Sequence, residues 1–275
     1  MNLTSLKILL PLALLTGVAG LTLAQKSSTS DGTTIKALHV TGEGYHDYEA
    51  QKKIITEGIS KRIDNIDWTI WHHKTADAAK EQMTGDWAKG YDVVVYNICH
   101  AKETDKEFIE SVVAVHEAGV PAIALHCTMH SYHWDIEAAE GEVRAWNRLL
   151  GTYSRNHGPK APIKVAIAEG KKDHPILKDL PDGWQSPEGE LYNVTRVDTA
   201  DVLAHGVRVM DANPNKKDLL EPQPLIWTNK SKAAVLFGTT LGHHNTTMET
   251  DVYLDLLSNG LLWVLEESKV TAEAE

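Results

Sequence analysis

Two apolar runs constrain the fold more than any other feature of this chain. "YDVVVYNIC" (91–99) and "VPAIALHC" (120–127) are apolar at successive positions, so strands built from them hide both faces. Such strands belong inside a parallel sheet that helices cover on both sides. The segments around them agree. "IKALHVT" (35–41) is rich in β-branched residues, and "DWTIWHH" (67–73) reads as a further strand. Between these two, Ile54, Ile55, Ile59 and Ile63 recur at helical spacing after a Gly-rich turn, "GEGYHDYEA". "TDKEFIESVVAVHEAG" reads as a helix, with Thr104 and Glu107 as a capping box and Gly119 as its stop.

The second half changes character. A helix is expected over 140–151. Shorter strands follow in "IKVAIAEG", "ELYNVT" and "DVLAHGVRVM", and "PLIWTNKSKAAVLFGTTLGHH" reads as a hairpin. Thr246 and Glu249 are expected to cap a last helix ending near Glu267. Residues 268–275 are expected to be a disordered tail.

Residues 1–24 read as an export signal: Lys7, then an apolar run from Ile8 to Ala19, then small residues before Gln25. A retained anchor is the alternative. Residues 25–33 read as a flexible leader and 34–267 as one domain. The expected location is therefore secreted or periplasmic, with no membrane contact beyond the signal segment. The net charge is −11 with no basic stripe, which argues against a nucleic-acid partner.

In a doubly wound sheet, ligands bind beyond the carboxyl ends of the strands. Histidine or cysteine stands at four such ends: His39 and His46, Cys99 and His100, His126 and Cys127, and His243 and His244. Imidazole and thiolate suit zinc and similar metals. Cys127 could instead be a thiol nucleophile with His243 or His244 as its base, or could pair with Cys99 in a disulfide. Histidine also titrates near neutral pH, which makes His46, His126, His157, His174 and His243 acid–base candidates, with Glu190 or Asp47 as carboxylate partners. Among eight tryptophans, Trp134 and Trp184 are the candidates for the floor of a sugar cleft. No GxSxG, P-loop, HExxH or GxGxxG occurs.

These motifs, in this order, resemble the ThuA-like (trehalose utilisation) family of the class I glutamine amidotransferase-like superfamily. The resemblance covers about residues 35–266. It rests on "HVTGEGYHDY" with His46, "GVPAIALHCTMHSY" with His126, "LLGTYSRNH" with His157, "DHPILKDLPDGWQSPEGELY" with His174, Glu190 and Tyr192, and "PLIWTNKSKAAVLFGTTLGHH". It implies a flavodoxin-like three-layer α/β/α sandwich with a mostly parallel central sheet. It also implies a role in sugar metabolism, with relatives described as secreted glycosyl hydrolases. Amidotransferases carry a cysteine at the strand-end turn where "ALHCT" has His126, so glutamine amidotransferase activity is not expected.

The resulting expectation is an exported enzyme acting on a glycoside or an oxidised (keto) sugar. His126, His46, His243 and Glu190 form its catalytic set. His46, His126 and His243 are the candidate ligands of a divalent metal such as zinc. His157, His174, Tyr192, Trp134 and His244 are the candidate substrate contacts. The partner is a small carbohydrate, and a homodimer is compatible with this reading. The alternatives are a non-catalytic sugar-binding or scaffold protein and a Cys127 thiol hydrolase.

Overall fold

The computed structural model describes residues 32–132, 143–209 and 221–274. The expected signal segment and Trp134 lie outside the described residues. Ten strands and six α-helices follow one another as β1 (Ile35–Gly42), α1 (Tyr48–Ser60), β2 (Ile66–His73), α2 (Ala76–Gln82), β3 (Val93–Ile98), α3 (Lys106–Glu117), β4 (Ala122–Leu125), α4 (Ala145–Leu150), β5 (Thr152–Lys160), β6 (Ile163–Ile167), β7 (Glu190–Val197), β8 (Asp201–Arg208), β9 (Gln223–Ser231), β10 (Ala234–Thr239), α5 (Asn245–Met248) and α6 (Asp251–Ala274). A 3-10 turn, His126–His130, follows β4 directly.

Eight strands form one sheet in the order β2-β1-β3-β4-β10-β9-β8-β6. The five from β2 to β10 run parallel, and β9, β8 and β6 continue the sheet antiparallel. The alternation of side chains along each strand makes two cores. Ile35 and Ala37 of β1, Val93 and Val95 of β3, and Ile123 and Leu125 of β4 pack with Ile55 and Ile59 of α1 and Leu257 and Leu261 of α6. The intervening Leu38, Val40, Val94 and Tyr96 pack with Met83 near α2, with Val112 and Val113 of α3, and with Trp146 and Leu150 of α4. The result is the expected flavodoxin-like α/β/α sandwich. Every residue of β3 and β4 is buried, as continuous apolar runs require. Gly260 lets α6 approach the sheet, since a Cβ there would lie 2.2 Å from the Phe237 ring.

Several local expectations are corrected. Asp105, not Thr104, caps α3, and its carboxylate accepts from the N–H groups of Glu107 and Phe108. An aspartate one residue nearer the helix reaches the same free donors and is ionised. Thr246 caps no helix; its hydroxyl donates to Glu188 at 2.7 Å, and Thr250 accepts from Tyr253 N–H ahead of α6. Residues 268–274 are not a disordered tail but continue α6, with Ser268 and Thr271 hydroxyls bonded back to carbonyls one turn earlier. Neither α2 nor β5 is foreseen from periodicity: α2 is short, and β5 is polar and mostly exposed.

β5 and β7 form a separate antiparallel ribbon with three register shifts. This ribbon carries part of the site to the carboxyl edge of the parallel strands.

Candidate active site at the carboxyl edge of the sheet

His126 is the first residue past β4 and adopts φ +46°, the left-handed region that non-glycine residues seldom occupy. Its strain is held by the turn around it. Thr128 Oγ1 donates to Tyr96 O at 3.1 Å and accepts from Ile98 N–H at 3.2 Å, while Trp146 Nε1–H donates to Thr128 O at 3.0 Å. The turn is thus tied to β3 and α4, and strain held by its surroundings is common at functional sites.

The imidazole of His126 is buried, and its Nδ1–H donates to Thr240 O at 2.6 Å. That bond fixes the tautomer and leaves the Nε2 lone pair facing the site. Around Nε2 lie His243 Nδ1 at 3.2 Å, the Tyr192 hydroxyl at 3.3 Å and Glu190 Oε2 at 3.6 Å. His46 completes the cluster from the loop between β1 and α1. Its ring centre is 4.9 Å from that of His126 and 4.7 Å from that of His243. Glu190 joins the histidines: Oε2 is 3.1 Å from His243 Nδ1, and Oε1 is 3.2 Å from His157 Nδ1.

Two loops must meet for this to happen, and polar side chains clamp them. Gln51 of α1 donates to His243 O at 3.3 Å and accepts from Asn97 of β3 at 3.0 Å. Asn245 donates to Asp47 at 3.0 Å. Gly242 turns the chain with φ +111° in a space where a Cβ would lie 2.6 Å from the Tyr253 hydroxyl. Asn97 and Gln51 are positioning residues that sequence reasoning missed. A buried polar residue in an otherwise apolar strand was the available signal.

Charge follows from this geometry. Burial, then the neighbouring His126 and His243, push His46 down to about 2, so its imidazole is neutral. Burial lowers His126 as well, against the opposing pull of Glu190. Burial works to raise Glu190, but the neighbouring His126 and His243 outweigh it and hold the carboxyl below the usual range. His46 and His126 are therefore neutral imidazoles beside an ionised carboxylate at neutral pH. Neutral imidazole is the form that binds metal.

The donor set fits a divalent metal. One nitrogen from each of His46, His126 and His243 lies within 4.8 Å of the others. The 3.2 Å between His126 Nε2 and His243 Nδ1 is close to the ~3.4 Å separating two nitrogens on a tetrahedral zinc. Glu190 Oε2, 3.1 Å from His243 Nδ1 and 3.6 Å from His126 Nε2, lies beside the same nitrogens and would supply an oxygen as a further ligand.

His46, His243 and Glu190 line a cleft of about 410 Å³, within the range of small-molecule sites, and His126 lies directly behind them. Its walls include Tyr45, His130, His157, Tyr192 and the Cys99–Cys127 pair. His130 stacks on Tyr192 with ring centres 4.1 Å apart and planes 1° from parallel. His244 lies beside His243, with ring centres 4.3 Å apart, at the edge of this group.

Other candidates fall elsewhere. His174 accepts from Ile176 N–H and packs on Trp263 of α6, in a 3-10 turn serving the α1–α6 core. The proline after it and its own capping bond explain its place. Trp184 packs against that core as well, not in the cleft. His39 points into the helix-covered face of β1 beside Trp68, and His100 is buried with Nδ1 2.9 Å from the Tyr132 hydroxyl. Cys127 has no free thiol. The ends of β3 and β4 bring its Cα within 5.1 Å of Cys99, inside the span a disulfide bridges, and the two are bonded. The thiol-nucleophile reading is thereby corrected.

Fold and site together define a flavodoxin-like α/β protein with a histidine-rich cleft at the carboxyl ends of its parallel strands. The chain belongs to the ThuA family: residues 36–264 match that family, described as trehalose utilisation. That description points to carbohydrate metabolism. Among solved structures, the chain is similar to a ThuA-like protein from Parabacteroides merdae, with 20% identity over 85% of this chain and 91% of that one, at a TM-score of 0.63. It is also similar to a cold-adapted β-galactosidase from a Rahnella species, with 14% identity and a TM-score of 0.52, over 84% of this chain but 32% of that one. At these identities the likeness is one of fold. The curated proteins offer no match. No helix among the described residues is long and apolar enough to cross a membrane.

Proposed function

We propose that the protein is an exported enzyme of carbohydrate metabolism, acting on a glycoside or oxidised (keto) sugar in the cleft at the carboxyl ends of β1, β4 and β10. The observation that carries this is the convergence of His46, His126, His243 and Glu190 from four separate chain segments, with His46, His243 and Glu190 on the cleft wall and His126 directly behind it. His46, His126 and His243 would hold a divalent metal such as zinc. When bound, such an ion polarises a carbonyl or hydroxyl oxygen and lowers the pKa of a water.

The protein's own groups have separable tasks. Glu190 lies against the Nδ1 atoms of both His243 and His157 and would lend an oxygen to a bound ion. Tyr192 directs its hydroxyl at His126 Nε2 and offers its ring as part of an aromatic wall for a sugar face. His126, anchored through Nδ1, presents the one nitrogen that can accept a proton or a metal. His157 lines the cleft, and His244 lines a neighbouring pocket beside His243. Export rests on residues 1–24 alone.

The test is metal content by elemental analysis of untagged protein, wild type and His126→Ala, followed by a screen of glycosides and keto-sugars. Stoichiometric zinc, manganese or iron that falls in the variant, with turnover that falls alongside it, supports the reading. Sugar binding without any product, with His126→Ala changing affinity only, would replace it with a non-catalytic sugar-binding protein.

A further inference from the structure

Lys160 of β5 and Glu190 of β7 are register partners across the ribbon. Opposite charges placed so ordinarily pair. Here they do not: the Glu190 carboxylate is turned inward onto His126, His157 and His243. Lys160 is exposed, lines the cleft and forms no salt bridge among the described residues. On the loop after β3, next to the disulfide, Lys102 also lines the cleft and is likewise exposed without a salt bridge.

The other nearby acids do not line the cleft. Glu188 accepts from Thr246, and Asp47 caps α1 while accepting from Asn245. Glu103 is paired with Lys80, and Glu43 Oε2 lies 3.9 Å from Nε2 of the buried His100 without a hydrogen bond to it. Among the residues lining the cleft, two ammonium groups therefore stand against one carboxylate that already has three imidazole neighbours. The cleft is a cationic mouth on an acidic protein, and such a mouth concentrates anions.

We infer that the ligand of this cleft is an anionic sugar, bearing a carboxylate or a phosphate that Lys102 and Lys160 receive at the mouth while the ring lies against His130 and Tyr192. This rests on the reading of the cleft as a carbohydrate site and narrows it to acidic sugars. Two partly exposed ammonium contacts account for a preference of roughly tenfold over the uncharged sugar, one that weakens with salt.

The experiment is calorimetric titration of the full chain at low and high ionic strength with D-glucose, D-glucuronate, glucose 6-phosphate and inorganic phosphate. It is run on wild type and Lys102→Ala/Lys160→Ala, whose thermal midpoints should agree because both side chains are exposed. The expected result is that one anionic sugar binds about tenfold more tightly than glucose at low salt and loses that advantage in the double variant. Glucuronate in that role marks a uronic acid, and glucose 6-phosphate marks a sugar phosphate. Glucose binding as tightly as both anions overturns the inference and leaves the sugar cleft standing. An advantage that survives in the double variant also overturns it, since the anion is then held by other groups. Lysine-dependent binding of inorganic phosphate with no sugar binding keeps the anion site and removes the sugar reading instead. No binding of any probe overturns the inference.

Discussion

The Tyr192 hydroxyl lies 3.3 Å from His126 Nε2, while the ring that carries it stacks on His130 at 4.1 Å. One side chain therefore joins the reactive face of the strand-end histidine to the wall of the cleft. Its two tasks can be separated. Tyr192→Phe keeps the stack and the burial and loses only the hydroxyl. Its stability should change by about 1 kcal/mol or less, with a clear loss of turnover or sugar affinity. Tyr192→Ala should cost roughly 3–5 kcal/mol. Urea melts of both variants beside a binding assay check this. Equal destabilisation by the two would show that the hydroxyl is structural.

Glu190→Gln preserves shape and removes the charge beside His157 and His243. Zinc affinity, measured by competition with a chromogenic chelator, should fall at least about 10-fold, the loss that even an outer carboxylate produces. Unchanged affinity would place Glu190 outside any metal's influence.

Acid should unfold the protein earlier than its carboxylates alone require. Burial pushes His39 and His100 down to about 3 and His116 down to about 4. The unfolded chain takes up these protons below about pH 6.5, whereas the folded chain refuses them until pH 3–4. Stability is therefore full above pH 6.5 and falls as pH falls below it, by at most about 1.4 kcal/mol per pH unit for each histidine. Urea midpoints at pH 7, 6 and 5 should fall steadily, and His39→Phe should flatten the slope. A midpoint independent of pH over this range would contradict neutral burial.

The Cys99–Cys127 bond closes a loop of sequence separation 28 and should contribute about 3–4 kcal/mol. Denaturation with and without reductant, and of Cys99→Ser/Cys127→Ser, should show that loss. Because Cys127 follows His126 directly, metal retention should fall with it. Identical midpoints with and without reductant would mean that the strand ends hold without the bond.

Much of the parallel half was legible in the residues. The continuous apolar runs of β3 and β4 and the Ile54–Ile63 spacing carry their own burial, because period alone decides which faces are hidden. The ribbon was not legible. "TYSRNHGPK" is polar and exposed, so nothing in its pattern marks a strand; β7 and its bulges make it one. His174 and Trp184 misled for a related reason: a histidine before proline and a lone tryptophan look alike in sequence whether they serve a core or a cleft.

By itself the sequence determined the sheet, its two helical coats, the family and the placing of histidine at the strand ends, since each follows from local pattern or ordered motifs. Tertiary structure alone decided which of those histidines meet. His39 and His46 are close in the chain, yet His39 is sealed under α1 and His46 reaches the cleft. Glu190 and Lys160 are strand partners, yet the carboxylate turns to three imidazoles and leaves the ammonium free of it. The physical reason is the same in both cases. Whether a charge pairs, stays neutral or faces a ligand depends on distances of a few ångströms between segments far apart in sequence, and only the folded sheet sets those distances.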